Sequence, residues 1–508
     1  MTHYLAIDQS TSATKALLFN TSWELVSKAS KDHRQIYPQP GWVEHDAEEI
    51  WLNTLAVVNE VVSGRPQPTR LSISNQRETV VVFDRATGKP LHNAIVWQCR
   101  RGDAICSQLK ADHQDASVRR KSGLVIDTYF PASKVRWLIE NVPEIKQALA
   151  DGTALVGTVD TYLIYRLTNG QVFATDHTNA CRTLLYDIQQ LDWSESLCEL
   201  FHVPLSALAE IRDSNTSFGT TDVAGALDSP IPIRGVMGDS QASLFAMGCH
   251  SVGDTKVTFG TGSSLLLNVG MNIPQPNAGT VATVAWVIDG RPTYCLEGII
   301  SYSAATLQWL RNQLQLIDSY EETQTLAESI ENNAGVYLVP AFAGLSAPYW
   351  SPDARAAIVG LTALATKAHV VRAALESIAY QVRDLLEMMR EQAGGTTRLI
   401  HADGGATSNG FLMQFLADMI DAEVRTSLVA ESSPLGAVLC GAIGSEAISI
   451  EQLKLPGSGQ SYHRQMSSET ADDSYAGWQR AVASVLDNAP PKQLSQPTTE
   501  NVSILNFT

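Results

Sequence analysis

Cysteine, positive charge and long apolar runs are all scarce in this sequence. Seven of its 508 residues are cysteine, an odd number: Cys99, Cys106, Cys181, Cys198, Cys249, Cys295 and Cys440. No two are spaced as Cys-x-x-Cys. A disulfide framework and a structural zinc site do not fit, and a reducing, cytoplasmic setting does. No apolar run reaches the roughly 18 residues of a membrane-spanning helix. The first residues, Met1-Thr2-His3-Tyr4, lack the basic and apolar regions of a secretory signal. Lys and Arg number 36 against 53 Asp and Glu, a net charge of −17. Such a chain repels a phosphate backbone, which argues against nucleic acid as its partner. Any anionic substrate must be held by a local site that overrides this field. Charged residues are only 18% and hydrophobic ones 44%, enough for a large core in roughly two to four domains.

The common nucleotide signatures are missing too. There is no Gly-x4-Gly-Lys-Ser/Thr, and Gly260-x-Gly262 lacks the third glycine of a dinucleotide fingerprint. Ser12-x-x-Lys15 matches a serine-acylase pattern without its companion motifs.

What is present alternates strands with helices, which gives an α/β class. Tyr4 to Ile7 and Lys15 to Phe19 read as a hairpin around the polar turn Asp8-Gln9-Ser10-Thr11-Ser12-Ala13-Thr14. Asp46 reads as the N-cap of a helix that opens with Glu48 and Glu49. Strands are expected at 71–74 and 80–83, and a helix over 161–167. A small-residue helix is expected over 242–247. Lys256 to Phe259, the turn Gly260-Thr261-Gly262-Ser263-Ser264 and Leu265 to Val269 repeat the strand–polar turn–strand plan of the N-terminus. Two halves of similar plan are therefore expected: 1–246, 247–488, and a loose tail over 489–508. Apolar spacing predicts a long helix over 371–392, stopped by Gly394-Gly395. A strand at 399–402 runs into Asp403-Gly404-Gly405-Ala406 and a helix over 411–420.

Chemistry can be read at several of these punctuations, each with an ordinary alternative. Asp8, at a strand end, suits Mg²⁺ held through water, and the N–H groups and hydroxyls of the turn suit phosphate oxygens. The alternative is a plain hairpin tip. Asp239, between Gly238 and Ser240, suits a base that takes a proton from a hydroxyl. The alternative is a helix N-cap. The turns at 260–262 and 403–406 let a backbone approach an anionic or flat ligand. Arg77 and Glu78 can grip hydroxyls, one donating and one accepting, or can be a solvated surface pair. Trp97 and Tyr129 are as readily core as site.

Taken together, the chain resembles the FGGY carbohydrate kinases, and within them the glycerol-kinase branch. The resemblance runs from Tyr4 to about Arg480 on SNQRETVVVFDRATGKPLHNAIVWQCRR, GLVIDTYF, GTVDTYLIYRLTNG, TDHTNACRT, FGTG, VYLVPAFAGLSAPYW, ALESIAYQVRD and DGGATSNGFLMQF. It implies two actin-like (ribonuclease H-like) domains around a cleft. Polyol or sugar lies on the first domain and ATP, with Mg²⁺, mainly on the second. It implies Asp8 at the metal, and Thr11, Ser12 and Lys15 near the transferred phosphate. Lys15 stands where that branch usually carries Arg. It implies Arg77, Glu78, Trp97 and Tyr129 around the polyol and Asp239 as the base. Thr261 and Gly262 fall at the second phosphate turn, and Gln308, Gly405, Ala406 and Asn409 along the ADP. A homodimer or homotetramer is implied as well.

Two departures from that branch concern the substrate. Ser240 follows the base where Gln is usual, and Ser264 replaces an aromatic that packs on the acceptor carbons. The expected reaction is ATP-dependent phosphorylation of a primary hydroxyl of glycerol or a related small polyol or sugar. The roomier, more polar site these departures suggest makes a four- or five-carbon polyol or ketose the alternative. A non-catalytic actin-like nucleotide-binding protein is the remote one. The stretch Ala224 to Pro230 lacks a basic, Gly-rich loop, so control by fructose bisphosphate is not expected.

Overall fold

A computed structural model describes residues 2–488 apart from 275, 277, 278, 346, 350, 352, 396, 430, 447, 454 and 456. The tail expected over 489–508 lies outside the described residues. The N-terminal hairpin pairs His3–Gln9 with Ala13–Asn20, which in turn pairs antiparallel with Leu25–Asp32. On its other side His3–Gln9 pairs in parallel with Arg70–Asn75, and that strand in parallel with Ile231–Gly238. Ser217–Thr221 closes this six-stranded sheet.

The second sheet repeats the plan. Asp254–Phe259 pairs antiparallel with Ser263–Gly270, which pairs with Arg291–Ile300. On its other side Asp254–Phe259 pairs in parallel with Leu399–Gly404, and that strand with Glu423–Ser427. Val281–Ile288 and Ser458–Tyr462 take the two edges. Three antiparallel strands and two parallel ones thus recur in one order, and the two similar halves expected from the turns are present. Their apolar strands are buried on both faces, as parallel-type sheets covered by helices require.

Several boundaries differ from the sequence reading. Asp8, Gln9 and Thr14 belong to strands, so the first turn is only Ser10 to Ser12. Ser263 and Ser264 also belong to a strand, because both continue the register with Phe259 and Thr258. The helix expected over 161–167 begins at Val159. Asp46 caps its helix as expected, accepting from the N–H groups of Glu48 and Glu49. The long helix spans Lys367–Ala393 and ends on left-handed Gly394. A four-stranded sheet (Glu44–His45, Ala94–Ile95, Val80–Asp84, Ala154–Thr158) with the helices Asp103–Ala111, Asp115–Ser122 and Pro131–Asn141 forms an insert on the first half.

The two halves are joined by more than a linker. The helix Ser432–Glu446 returns from the second half to lie on the helix Asp239–Ala246 and the strand Ile231–Gly238. A Cβ at Gly436 would stand 1.8 Å from the Ala242 carbonyl oxygen, so only glycine permits this approach. Met237, Phe245, Leu266, Trp286, Leu439 and their neighbours form an apolar core shared by both halves. Among the described residues no helix is long and apolar enough to cross a membrane.

Candidate active site

The first site element is the hairpin. Register sets Lys15 opposite Asp8, and the Lys15 Nζ lies 3.5 Å from the Asp8 Oδ2 and 3.2 Å from Glu431 of the second half. The Ser74 hydroxyl donates to the other Asp8 oxygen at 2.6 Å. Burial is the largest influence on Asp8 and raises its pKa, with Ser74 and Lys15 opposing. The tip is braced rather than free. The Trp97 indole donates to the Thr11 hydroxyl at 3.0 Å, and a His33 ring nitrogen meets the Thr11 carbonyl at 2.9 Å. Ser12 stands exposed beside it.

Arg77 and Glu78 are not a solvated surface pair: they are 5% and 2% exposed. Arg77 donates through both terminal nitrogens to Glu297 of the second sheet, at 3.1 and 2.8 Å. Arg182 reaches Glu78 and Glu297, each at 2.6 Å. Two guanidinium groups and two carboxylates therefore interlock across the halves. Burial opposes ionisation of Glu297, but Arg182 and Arg77 outweigh it and hold the carboxyl at about 2. Glu78 has φ of 61°, a left-handed conformation unusual for a residue with a side chain. Such strain persists where surrounding contacts over-determine it.

The insert supplies the aromatic side. Trp97 and Tyr129 meet edge-on with ring centroids 5.4 Å apart. Both are half-buried. Fully buried Lys134 ties them together, its Nζ donating to the Trp97 and Tyr129 carbonyls at 3.1 and 3.0 Å.

Asp239 is the first residue of its helix, and Gly238 occupies the N-cap without a side-chain bond. The capping alternative is therefore not realised. The Asp239 carboxylate is 39% exposed and lies 3.5 Å from the Arg77 Nε. It accepts from the Ser240 N–H at 2.7 Å and from the Ser240 hydroxyl at 3.3 Å. The Ser240 hydroxyl is thus turned toward the acid. Desolvation by the surrounding protein is the largest influence on Asp239 and raises its pKa; Arg77 and the Ser240 N–H counter this, Asp8 adds to it and Lys256 counters it.

On the second half, Gly260-Thr261-Gly262 links two strands. Its carbonyls take the first N–H groups of the helix Ala304–Asn312, Ala305 to Thr261 at 3.1 Å and Ala304 to Gly260 at 3.2 Å. A Cβ on Gly262 would come within 2.4 Å of the Ile300 carbonyl oxygen. Gln308 is half-buried on that helix. Across the parallel pair, Gly404 runs into Gly405 and Ala406, and nothing stands within 4 Å of a Cβ built at Gly405. Asn409 caps the helix Gly410–Ile420, accepting from the Leu412 N–H at 2.9 Å and donating to Thr323 at 3.0 Å. The sequence-predicted residues thus fall into two groups. Asp8, the 10–12 turn, Arg77, Glu78, Trp97, Tyr129, Asp239 and Ser240 gather on the first half. Thr261, Gly262, Ser264, Gln308, Gly405, Ala406 and Asn409 lie on strand ends and helix starts of the second. Cavities of about 430 Å³ beside Arg65 and Asp228 and about 450 Å³ beside Trp309 and Phe342 contain none of them.

The sequence matches the N-terminal domain of the FGGY family of carbohydrate kinases over residues 3–246 and the C-terminal domain over 255–445. The chain belongs to this family. It is 43% identical over 492 residues to a glycerol kinase of Desulfitobacterium hafniense, covering 96% of this chain and 99% of that one. It is 45% identical over 490 residues to glycerol kinase 1 of Thermotoga maritima, covering 95% and 99%. The crystal structure of Plasmodium falciparum glycerol kinase with ADP is similar at a TM-score of 0.92 and 36% identity, covering 96% of this chain and 98% of that one. A xylulose kinase of Lactobacillus acidophilus, at 19% identity and a TM-score of 0.86, shares the fold.

Several residues of this FGGY kinase carry site geometry that motif reading passed over. Glu297, Arg182 and Lys134 hold the residues that motifs pick out. Lys256, 3% exposed, has no hydrogen bond or ion pair from its side chain among the described residues, yet its charge bears on both Asp239 and Glu297. Lys256, Leu266 and Glu297 form one cross-strand row, and Thr258, Ser264 and Ile299 the next, all facing the first half. A lysine or glutamate amid strand residues gave no signal. Only the period of two, applied with the pairing known, turns them toward the first half.

Proposed function

We propose that the protein transfers the γ-phosphoryl group of ATP to a primary hydroxyl of a small polyol, glycerol in the first reading. The polyol sits on residues 1–246 and the nucleotide mainly on 247–488. The observation that carries the reading is the Asp239 carboxylate, which is exposed to the cleft, spared from capping and held by Arg77. Arg77 and Glu78 would donate to and accept from acceptor hydroxyls, with Trp97 and Tyr129 on the apolar side. Asp239 takes the proton of the attacking hydroxyl as its oxygen bonds to phosphorus and the bond to ADP breaks. N–H groups at 10–12 and 260–262 receive phosphate oxygens, while Gln308, Gly405, Ala406 and Asn409 line the rest of the nucleotide.

The donors present suit Mg²⁺ carried in with the nucleotide. Among the described residues no group of three or more His, Cys, Asp or Glu could hold a metal. Asp8 offers one carboxylate near the phosphate turn, and Mg²⁺ characteristically combines one or two carboxylates with phosphates and water. When bound, Mg²⁺ would offset charge on the β- and γ-phosphates.

The identities to proteins named glycerol kinase support glycerol. A four- or five-carbon polyol or ketose is the second reading, favoured by Ser264 in place of a bulkier wall. The test of the reaction is Asp239→Asn, which keeps the shape but cannot take the proton. We expect kcat to fall roughly 10²–10⁴-fold, the usual range for a lost general base, with ATP binding retained in calorimetry. Near-parental turnover would return Asp239 to a structural role.

A further inference from the structure

Ile299 is an apolar side chain without a core to join. It is 46% exposed, and between Tyr294 and Ile300 no other residue of its strand is exposed. Alternation sets it on the same side of the sheet as Glu297, whose carboxylate grips Arg77. Two residues along a strand is roughly 7 Å, so Ile299 stands one step from that charged cluster toward the strand's end. At that end the next residue, Ile300, presents the carbonyl against which Gly262 of the phosphate turn is seated. Directly across the strand pair is Ser264, too short to cover the ground beside it. Ile299 therefore lies between the groups that would hold acceptor hydroxyls and the turn that would hold phosphate, facing the first half.

We infer that Ile299 is the apolar wall of the acceptor subsite and sets how long a carbon chain the site takes. The inference rests on the kinase reading proposed above. A polyol presents hydroxyls along its edges and C–H groups on its faces. Arg77, Glu78 and Asp239 answer the hydroxyls, and the Trp97–Tyr129 pair offers apolar surface on the insert side. Ile299 supplies the opposing apolar surface from the second sheet. Its branched Cβ limits it to few rotamers, so it makes a wall of definite position. The room left by Ser264 is filled from the neighbouring strand, and a three-carbon acceptor fits better than a longer one.

The experiment compares ATP-dependent ADP release with glycerol, erythritol and xylulose for the parent, Ile299→Ala, and Ser264→Phe combined with Ile299→Ala. The parent should prefer glycerol. Ile299→Ala should raise KM for glycerol about tenfold with kcat within about threefold, and lower the glycerol-to-erythritol ratio of kcat/KM at least about tenfold. The double variant, with a ring rebuilt on the adjacent strand, should recover most of the glycerol KM. An active parent whose Ile299→Ala variant melts normally and keeps its discrimination within about twofold overturns this inference alone. A parent that favours erythritol or xylulose over glycerol also overturns it. A parent inert toward all three acceptors overturns the kinase reading with it.

Discussion

At the scale of single residues, the cleft works by balancing charges that would each be costly alone. Arg77 and Arg182 are matched by Glu78 and Glu297, and Lys15 by Asp8 and Glu431. Asp239 is left with a partial partner in Arg77 and with the nearby Lys256. As the proposed base, Asp239 must be ionised to act, so activity should fall as pH drops through its raised pKa, above the ordinary carboxylate value of 3.8. Lys256 lowers that pKa, so removing its charge must raise it further. Lys256→Met should therefore move the acid limb of the kcat–pH profile to higher pH, as the loss of a nearby positive charge disfavours the ionised carboxylate. Lys256→Arg should restore the parental limb. A limb unmoved in the Met variant would show that Lys256 and Asp239 are not coupled.

At the scale of elements, turns were far more legible in the sequence than faces. Asp8, the 260–262 turn and Gly404-Gly405 are glycines and acids that end apolar strands, and all stand where strand ends should. The long helix over 371–392 was readable from its stripe. The pairing of Arg77 with Glu297 was not, since 220 residues separate them. Without that partner, adjacent Arg and Glu look like a solvated pair. Ile299 was hidden for the same reason: an isoleucine in a strand reads as core until the register shows which way it faces. The crossing of helices Asp239–Ala246 and Ser432–Glu446 was also invisible, because Gly436 gives no sign of what it touches. In an exposed helix Gly→Ala stabilises by up to about 1 kcal/mol. Here the new methyl would meet the Ala242 carbonyl at 1.8 Å, so Gly436→Ala should destabilise instead, by about 1–3 kcal/mol as overpacking does. It should also slow turnover, since the displaced helix begins with Asp239. A melting temperature equal to or above the parent's would mean that the helices can part without loss.

At the scale of the whole molecule, the net charge of −17 opposes the arrival of a nucleotide, and the question is whether the site reverses that field. The cations facing the cleft are already spent. Arg77 and Arg182 are interlocked with Glu78 and Glu297, and Lys15 is shared between Asp8 and Glu431. Lys256 has no ion-pair partner among the described residues, and its charge reaches the Asp239 carboxylate. The proposed phosphate contacts are accordingly short-range, the N–H donors at 10–12 and 260–262 and Mg²⁺ carried in with the nucleotide, while approach is governed by the acidic surface. Salt screens the long-range part and leaves buried contacts nearly untouched. Raising ionic strength from roughly 20 to 150 mM shortens the screening length from about 20 Å to about 8 Å. KM for Mg-ATP should then fall, about twofold or more, through faster association, while KM for an uncharged acceptor stays level. A kinase that drew its nucleotide in with a positive funnel would show the reverse. A rise in the Mg-ATP KM with salt would mean that the cleft presents net positive charge to the incoming nucleotide, and that the pairings seen among its cations loosen before ATP arrives.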